Sequence, residues 1–174
     1  MSDFNSYYML VALAVREKAN CIGRKVGAII VKENRIIGTG YNGTPEGMQN
    51  CEDGGCIRCN KHRDEGNFYD KCICVHAEQN GMITAARFGH EIQGSIIYTT
   101  LQPCFTCAKE FLQAKIKTYF YLEEIKYKTD KEIDKNFKQQ YEILIGKFEK
   151  HPTQLEKNEL TKNLSNIKSY LNKI

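Results

Sequence analysis

The run Ile96-Ile97-Tyr98-Thr99-Thr100-Leu101-Gln102-Pro103-Cys104-Phe105-Thr106-Cys107-Ala108 decides the fold. It opens as a β-branched and aromatic strand from Ile96 to Thr99. Pro103 sits where a helix would begin, because a first helical turn leaves its N–H groups unbonded and loses nothing at proline. Helical spacing runs from Ala108 to Ala114, and Thr118 to Leu122 is strand again. Upstream, His76 to Phe88 has helical spacing. Before it, Val26 to Val31 and Arg35 to Thr39 are short strands turning at Glu33-Asn34, a predicted β-hairpin. The centre of the chain therefore alternates strand, helix, strand, helix, strand, which predicts an α/β sandwich with parallel crossovers.

Outward from this centre the signals weaken. Phe4 to Lys18 carries a helical stripe at Tyr7, Tyr8, Val11, Ala14 and Val15. After Lys126 the chain is Lys-rich, with a predicted helix from Asp130 and a weak strand at Ile143 to Phe148. Leu160, Leu164, Ile167, Leu171 and Ile174 then form a heptad-spaced apolar seam. So short a seam is marginal as a free helix, so it must lie on its own domain or on a neighbouring subunit. A length of 174 residues allows one domain, expected over 1–150, with 151–174 as a C-terminal helix.

A net charge of +4 is too mild to argue for nucleic acid or an anionic membrane. The longest apolar run, Tyr7 to Val15, is too short to span a bilayer. It does not read as an export signal either, since Asp3 precedes it and its small residues lie inside it. The expected location is the cytoplasm. There, eight cysteines read as metal ligands or catalytic thiols before they read as disulfides. Four of them end two C-x-x-C pairs, Cys56/Cys59 and Cys104/Cys107.

The chemistry centres on His76-Ala77-Glu78 and Pro103-Cys104-Phe105-Thr106-Cys107. One His and two Cys are the three protein ligands of an open tetrahedral zinc, with a fourth position left for water. Cys104 and Cys107 lie three apart at a helix start, where free N–H groups and the positive helix end favour thiolates. Glu78, two residues past the His, can move protons without ligating. A closed structural site would instead want a fourth protein ligand and no carboxylate. The spacing is the zinc deaminase signature.

On these residues the chain resembles the deoxycytidylate (dCMP) deaminase family of the cytidine deaminase-like fold. The resemblance runs from Cys21 to about Glu124. It rests on Val26-Gly27-Ala28-Ile29-Ile30-Val31, Gly40-Tyr41-Asn42-Gly43-Thr44-Pro45, His76-Ala77-Glu78-Gln79-Asn80 and Tyr98-Thr99-Thr100-Leu101-Gln102-Pro103-Cys104. The Gly40 to Pro45 segment narrows it to the dCMP branch, and Asn50 to His76 resembles members with a cysteine-rich insert, here 41–74. The fold implied is a three-layer α-β-α sandwich with a mixed, mostly five-stranded sheet and a C-terminal helical extension. The activity implied is hydrolysis of dCMP to dUMP and ammonia, feeding dTTP synthesis. Zinc would be held by His76, Cys104 and Cys107, with Glu78 as proton shuttle. Asn42 would bind the sugar, and the Ala77 N–H the pyrimidine carbonyl. Arg24, Lys25 and Arg87 are the cations near the motifs for the phosphate, Arg87 foremost. Tyr41, Asn42 and Gly43 resemble the segment through which dCTP and dTTP act as effectors. A homo-oligomer, a hexamer by resemblance, is implied, with no nucleic acid or membrane partner.

Six cysteines remain. A second, structural zinc would order the long loop between Gly40 and Lys71, since metal binding supplies folding free energy. The resemblance points to Cys21, Cys51, Cys56 and Cys72 as its ligands, while spacing equally allows Cys56, Cys59, Cys72 and Cys74. Other readings of the whole chain are deamination of dCTP, deamination of a base in RNA or DNA, and a catalytically silent zinc module. The base-editing reading wants a basic channel with aromatics, yet the Lys excess lies after residue 125 among acids. The silent module has no need of Glu78.

Overall fold

The computed structural model describes residues 3–61, 71–125 and 131–172. Its elements are α1 (Asp3–Arg16), β1 (Gly27–Lys32), β2 (Arg35–Tyr41), α2 (Ile57–Lys61), α3 (Ala77–Arg87), β3 (Ile96–Leu101), α4 (Phe105–Gln113), β4 (Thr118–Glu123), α5 (Lys131–Ile145), β5 (Thr153–Gln154) and α6 (Lys157–Leu171). The strands form one sheet in the order β2-β1-β3-β4-β5. β1 runs antiparallel to both β2 and β3, while β3, β4 and β5 are parallel. The sheet is mixed because a two-residue hairpin must reverse the chain, whereas α3, α4 and α5 each carry it back to start a new parallel strand. Glu33 and Asn34 both take positive φ, 49° and 60°, the backbone of the tight primed turns that suit twisted strands.

Side-chain alternation along the strands builds the three layers. Ile29 and Val31 of β1 and Tyr98 of β3 face Tyr8, Met9 and Ala12 of α1, together with Leu155 and Leu160. Ile30, Ile97 and Tyr119 face the other way, against Ala85 of α3, Cys107, Ala108 and Phe111 of α4, and Tyr141 and Ile145 of α5. α1 and the start of α6 thus cover one face, and α3, α4 and α5 cover the other.

Two expectations are corrected. Ile143 is not in a strand; it lies in the last turn of α5, which ends at Ile145. Tyr141, Ile145 and Phe148 are spaced four and three apart and enter one core, so the apolar period was helical. The last strand is the exposed two-residue Thr153–Gln154, paired to Phe120 and Tyr121. The sheet therefore extends past the expected boundary at 150. Leu160 of the C-terminal seam is buried against the α1 layer, and Leu164 is exposed. The side chains of Ile167, Leu171 and Ile174 lie outside the described residues, as do residues 62–70 of the cysteine-rich loop.

Two glycines set the spacing of the layers. A side chain at Gly40 on β2 would strike the Ala77 carbonyl and the Gly81 N–H of α3, and one at Gly27 would strike the Ala12 carbonyl of α1. Backbone packs directly on backbone there, which only glycine permits. Gly40 thereby brings the start of α3 against the sheet.

Candidate active site

The site forms where the N-termini of α3 and α4 meet at the carboxyl end of β3. His76 is the N-cap of α3 and Cys104 the N-cap of α4. Neither α-helix can bond its first N–H groups internally, so both present positive ends to the same point. The His76 Nδ1 lies 3.4 Å from the Cys104 Sγ and 3.3 Å from the Cys107 Sγ. A tetrahedral zinc with bonds of about 2.1 Å to nitrogen and 2.3 Å to sulfur sets those atoms about 3.6 Å apart. The three side chains fit the ion.

The donor set also asks for a cation. The Cys104 thiol is held down at about 4, first by its hydrogen bond with Cys107 and then by His76, against burial. Cys107 is pushed far up, by that same pairing and by burial. Two sulfurs this close hold one negative charge between them, and both ionise only when a cation joins them. His76 is raised, chiefly by its hydrogen bond to Cys104.

Glu78 is buried in the first turn of α3. Burial pushes its carboxyl up to about 7, against the lowering effect of its own backbone N–H and of His76. The Thr99 hydroxyl donates to Glu78 Oε1 at 3.3 Å and lies 3.1 Å from the Leu101 carbonyl. A carboxyl poised near neutrality is suited to taking and returning a proton.

Residues around this centre hold it in register. The Gln79 side chain accepts from the His76 N–H at 3.1 Å and donates to Glu110 at 3.0 Å, tying α3 to α4. The Tyr141 hydroxyl donates to the Pro103 carbonyl at 2.8 Å and pairs with the Tyr119 hydroxyl at 3.0 Å. Gly43 pairs with Val75 as an isolated bridge, which pins the Asn42 loop beside His76. Thr44 Oγ1 on that loop is buried with no hydrogen-bond partner among the described residues. Gln79 and Thr99 stand inside the quoted motifs, but nothing in their spacing singles out a role. Thr44 likewise stands inside the quoted Gly40 to Pro45 motif without a role that spacing singles out, whereas Tyr119 and Tyr141 carry no motif signal at all.

Asn42 is buried, its Oδ1 accepting from the Val26 N–H and its Nδ2 donating to the Arg24 carbonyl, both at 2.7 Å. One amide hydrogen and one lone pair remain to it. Ala77 is fully buried as the first residue of α3. Arg24 and Lys25 are exposed, directly before Val26 and so beside Asn42. Arg87 is not brought to the site. It ends α3, about 15 Å from the His76 end by helix rise, is 67% exposed and faces Glu46 at 3.6 Å. The Tyr41 ring is exposed, and its carbonyl accepts from Asn80 Nδ2 at 2.7 Å.

The remaining cysteines gather into one buried cluster. Cys21, Cys51, Cys59 and Cys74 form one group of mutually close sulfurs, and Cys56, Cys59, Cys72 and Cys74 form another. The set Cys21, Cys51, Cys56 and Cys72 is not one of these groups; it divides between them two and two. The reason is local. The turn Asn50–Gly55 folds Cys51 back toward the Cys21 side, and α2 brings Cys59 between the pairs.

A mixed sheet whose helix starts place one imidazole and two thiols around a buried carboxyl defines a class: open His/Cys/Cys metal centres with an acid–base glutamate. The description "Cytidine and deoxycytidylate deaminase zinc-binding region" matches residues 2–123. The chain belongs to this cytidine and deoxycytidylate deaminase family. It is 42% identical over 121 residues to the deoxycytidylate deaminase of Schizosaccharomyces pombe, covering 68% of this chain and 37% of that one. It is 31% identical over 130 residues to the deoxycytidylate deaminase of Mycobacterium phage D29, covering 70% of this chain and 96% of that one. The dCMP deaminase of cyanophage S-TIM5, solved in complex with dCMP and dUMP, superposes with a TM-score of 0.61 at 28% identity, over 90% of this chain and 98% of that one. The chain spans 37% and 40% of the length of the yeast relatives it matches. Among the described residues, no helix is long and apolar enough to cross a membrane.

Proposed function

We propose that this chain hydrolyses dCMP to dUMP and ammonia. The observation that carries the reading is the buried Glu78 carboxyl beside the His76, Cys104 and Cys107 donor set, in a chain of this family. Zinc held by those three side chains would act as a Lewis acid that makes hydroxide available near neutral pH. Glu78 takes a proton from the attacking water and gives it to N3 of the cytosine. Oxygen bonds to C4, and Glu78 then takes the second proton from the new C4 hydroxyl and passes it to the amine; the C4–N bond breaks, the C4 carbonyl forms and ammonia leaves. Thr99 steadies the carboxyl. The Ala77 N–H donates to the pyrimidine carbonyl, and the spare hydrogen-bonding capacity of Asn42 meets the sugar hydroxyl. The phosphate falls to Lys25 and Arg24, on the Asn42 side, and not to Arg87.

The same proposal takes the cysteine cluster as a metal-ordered element, in a reducing cytoplasm that leaves its thiols available. It takes the enzyme as a homo-oligomer, a hexamer by family resemblance, in dTTP-precursor metabolism. Met48, Ile83 and Phe88 are apolar side chains, respectively 50%, 51% and 72% exposed, that a subunit contact would cover. dCTP and dTTP would act through Tyr41, Asn42 and Gly43. The deciding experiment incubates the protein with dCMP, deoxycytidine, dCTP and a single-stranded oligonucleotide, and measures uracil product. The reading requires dCMP to turn over fastest; a preference for dCTP or the oligonucleotide overturns it.

A further inference from the structure

The six cysteines outside the active site come from four places in the chain: Cys21 before β1, Cys51 and Cys56 around a tight turn, Cys59 in α2, and Cys72 and Cys74 before His76. Their sulfurs form two overlapping groups of four, each with every pair within 4.8 Å. A tetrahedral all-thiolate zinc, with bonds of about 2.3 Å, sets its sulfurs about 3.8 Å apart. The observed separations are 3.9 Å for Cys21 and Cys59, 3.8 Å for Cys56 and Cys72, and 3.6 Å for Cys59 and Cys72. Two tetrahedral ions need eight sulfur positions. Six thiolates fill them only if two sulfurs serve both ions. Two sulfurs, those of Cys59 and Cys74, belong to both groups.

We propose that these cysteines form a binuclear zinc–thiolate cluster, two ions on six sulfurs. Cys21 and Cys51 are terminal on one ion, Cys56 and Cys72 are terminal on the other, and Cys59 and Cys74 bridge. The proposal rests on the metal-ordered reading of the segment given above and adds the number of ions and the role of each sulfur. A single ion satisfies either group but strands two sulfurs against it, whichever group it chooses. Two dications on six thiolates carry the same net charge as one dication on four, and they leave no sulfur unused. The cluster also has a mechanical consequence. Cys74 precedes the Val75 that pairs with Gly43, and His76 follows. The cluster therefore anchors the segment that leads into His76.

Zinc measured on the full chain, purified in reducing buffer without added metal, separates the readings by count. The proposal expects three ions per chain, two in the cluster and one at His76, Cys104 and Cys107. Two ions overturn the binuclear cluster and leave a single structural ion standing. One ion overturns the metal-ordered segment as well. Because Cys59→Ser can unfold the chain, the bridges are tested on the unaltered protein after exchange with cadmium-113. Two all-sulfur cadmium resonances, split by coupling to each other through shared sulfur, are expected. One such resonance, or two without mutual coupling, overturns the bridging assignment.

Discussion

His76 and Cys104 occupy the same station on two different helices: each is the N-cap, with φ/ψ of −72°/154° on α3 and −67°/167° on α4. Extended backbone at that station turns each side chain back across the helix start, and the two starts face each other. The site is thus a product of where α3 and α4 begin, and those starts are set by the sheet.

Cys104→Ser removes one donor at this junction without disturbing the core behind it, since Cys107, Ala108 and Phe111 supply the buried face of α4. Loss of a mere outer partner of a metal ligand typically costs about 10- to 100-fold, so loss of a ligand should exceed that. The expected result is one fewer zinc per chain, more than about a hundredfold less turnover, and a melting temperature within a few degrees of the parent. Metal analysis and calorimetry on the same sample check it. Global unfolding would show that the centre holds the fold and not only the chemistry.

Gly40→Ala tests the packing that positions α3. Its new methyl meets backbone atoms of Ala77 and Gly81, which cannot rotate away. Overpacking of this kind costs roughly 1–3 kcal/mol or more. Thermal unfolding should show that loss, with activity falling further than stability because Ala77 and Glu78 move with the helix. Unchanged activity would mean that α3 is not fixed by this contact.

The strands, the hairpin turn and the helices at His76 and Cys104 were legible in the sequence because each is local. β-branched runs, a turn pair and an N-terminal proline act within a few residues. The short spacings that mark His76, Cys104 and Cys107 as candidate ligands are local in the same way, and the three donor atoms do come together in the fold. Other features were not local. Arg87 sits on the right helix but at its far end, which spacing cannot convert into distance without knowing what lies across the pocket. The partner of Glu78 is Thr99, and the prop under Pro103 is Tyr141; both pairs form only when the layers close. The division of the six cysteines depends on the Asn50–Gly55 turn, whose backbone bonds leave no periodic signature.

Tyr141→Phe removes the hydroxyl that supports the Pro103 carbonyl and the Tyr119 hydroxyl. Leaving a buried acceptor unsatisfied costs about 1–3 kcal/mol. Thermal unfolding should therefore occur several degrees lower, with the zinc count unchanged. An unaltered melting temperature would remove Tyr141 from the account.

Burial of Glu78 has a signature in stability against pH. Its carboxyl is raised from 4.5 to about 7 in the folded chain, so the folded state resists ionising it. The destabilisation is absent below about pH 4.5, grows as pH rises, and is complete above about pH 7. It amounts to at most roughly 3 kcal/mol. In a Cys107→Ala background, which weakens the hold on a dication beside the carboxyl, adding Glu78→Gln should stabilise at pH 8 and do far less at pH 5. Parallel melts at the two pH values check this, and a gain independent of pH would contradict it.

The most direct measurement is turnover of dCMP to dUMP by Glu78→Gln protein whose zinc content has been determined. Gln keeps the shape of the side chain and removes its proton traffic. General acid–base help is worth about 10²–10⁴-fold, and here one group serves both proton transfers. Parental zinc content with turnover reduced by at least about a hundredfold is the expected result. A variant that keeps its zinc and more than about a tenth of parental turnover would contradict the role given to Glu78 and the mechanism built on it.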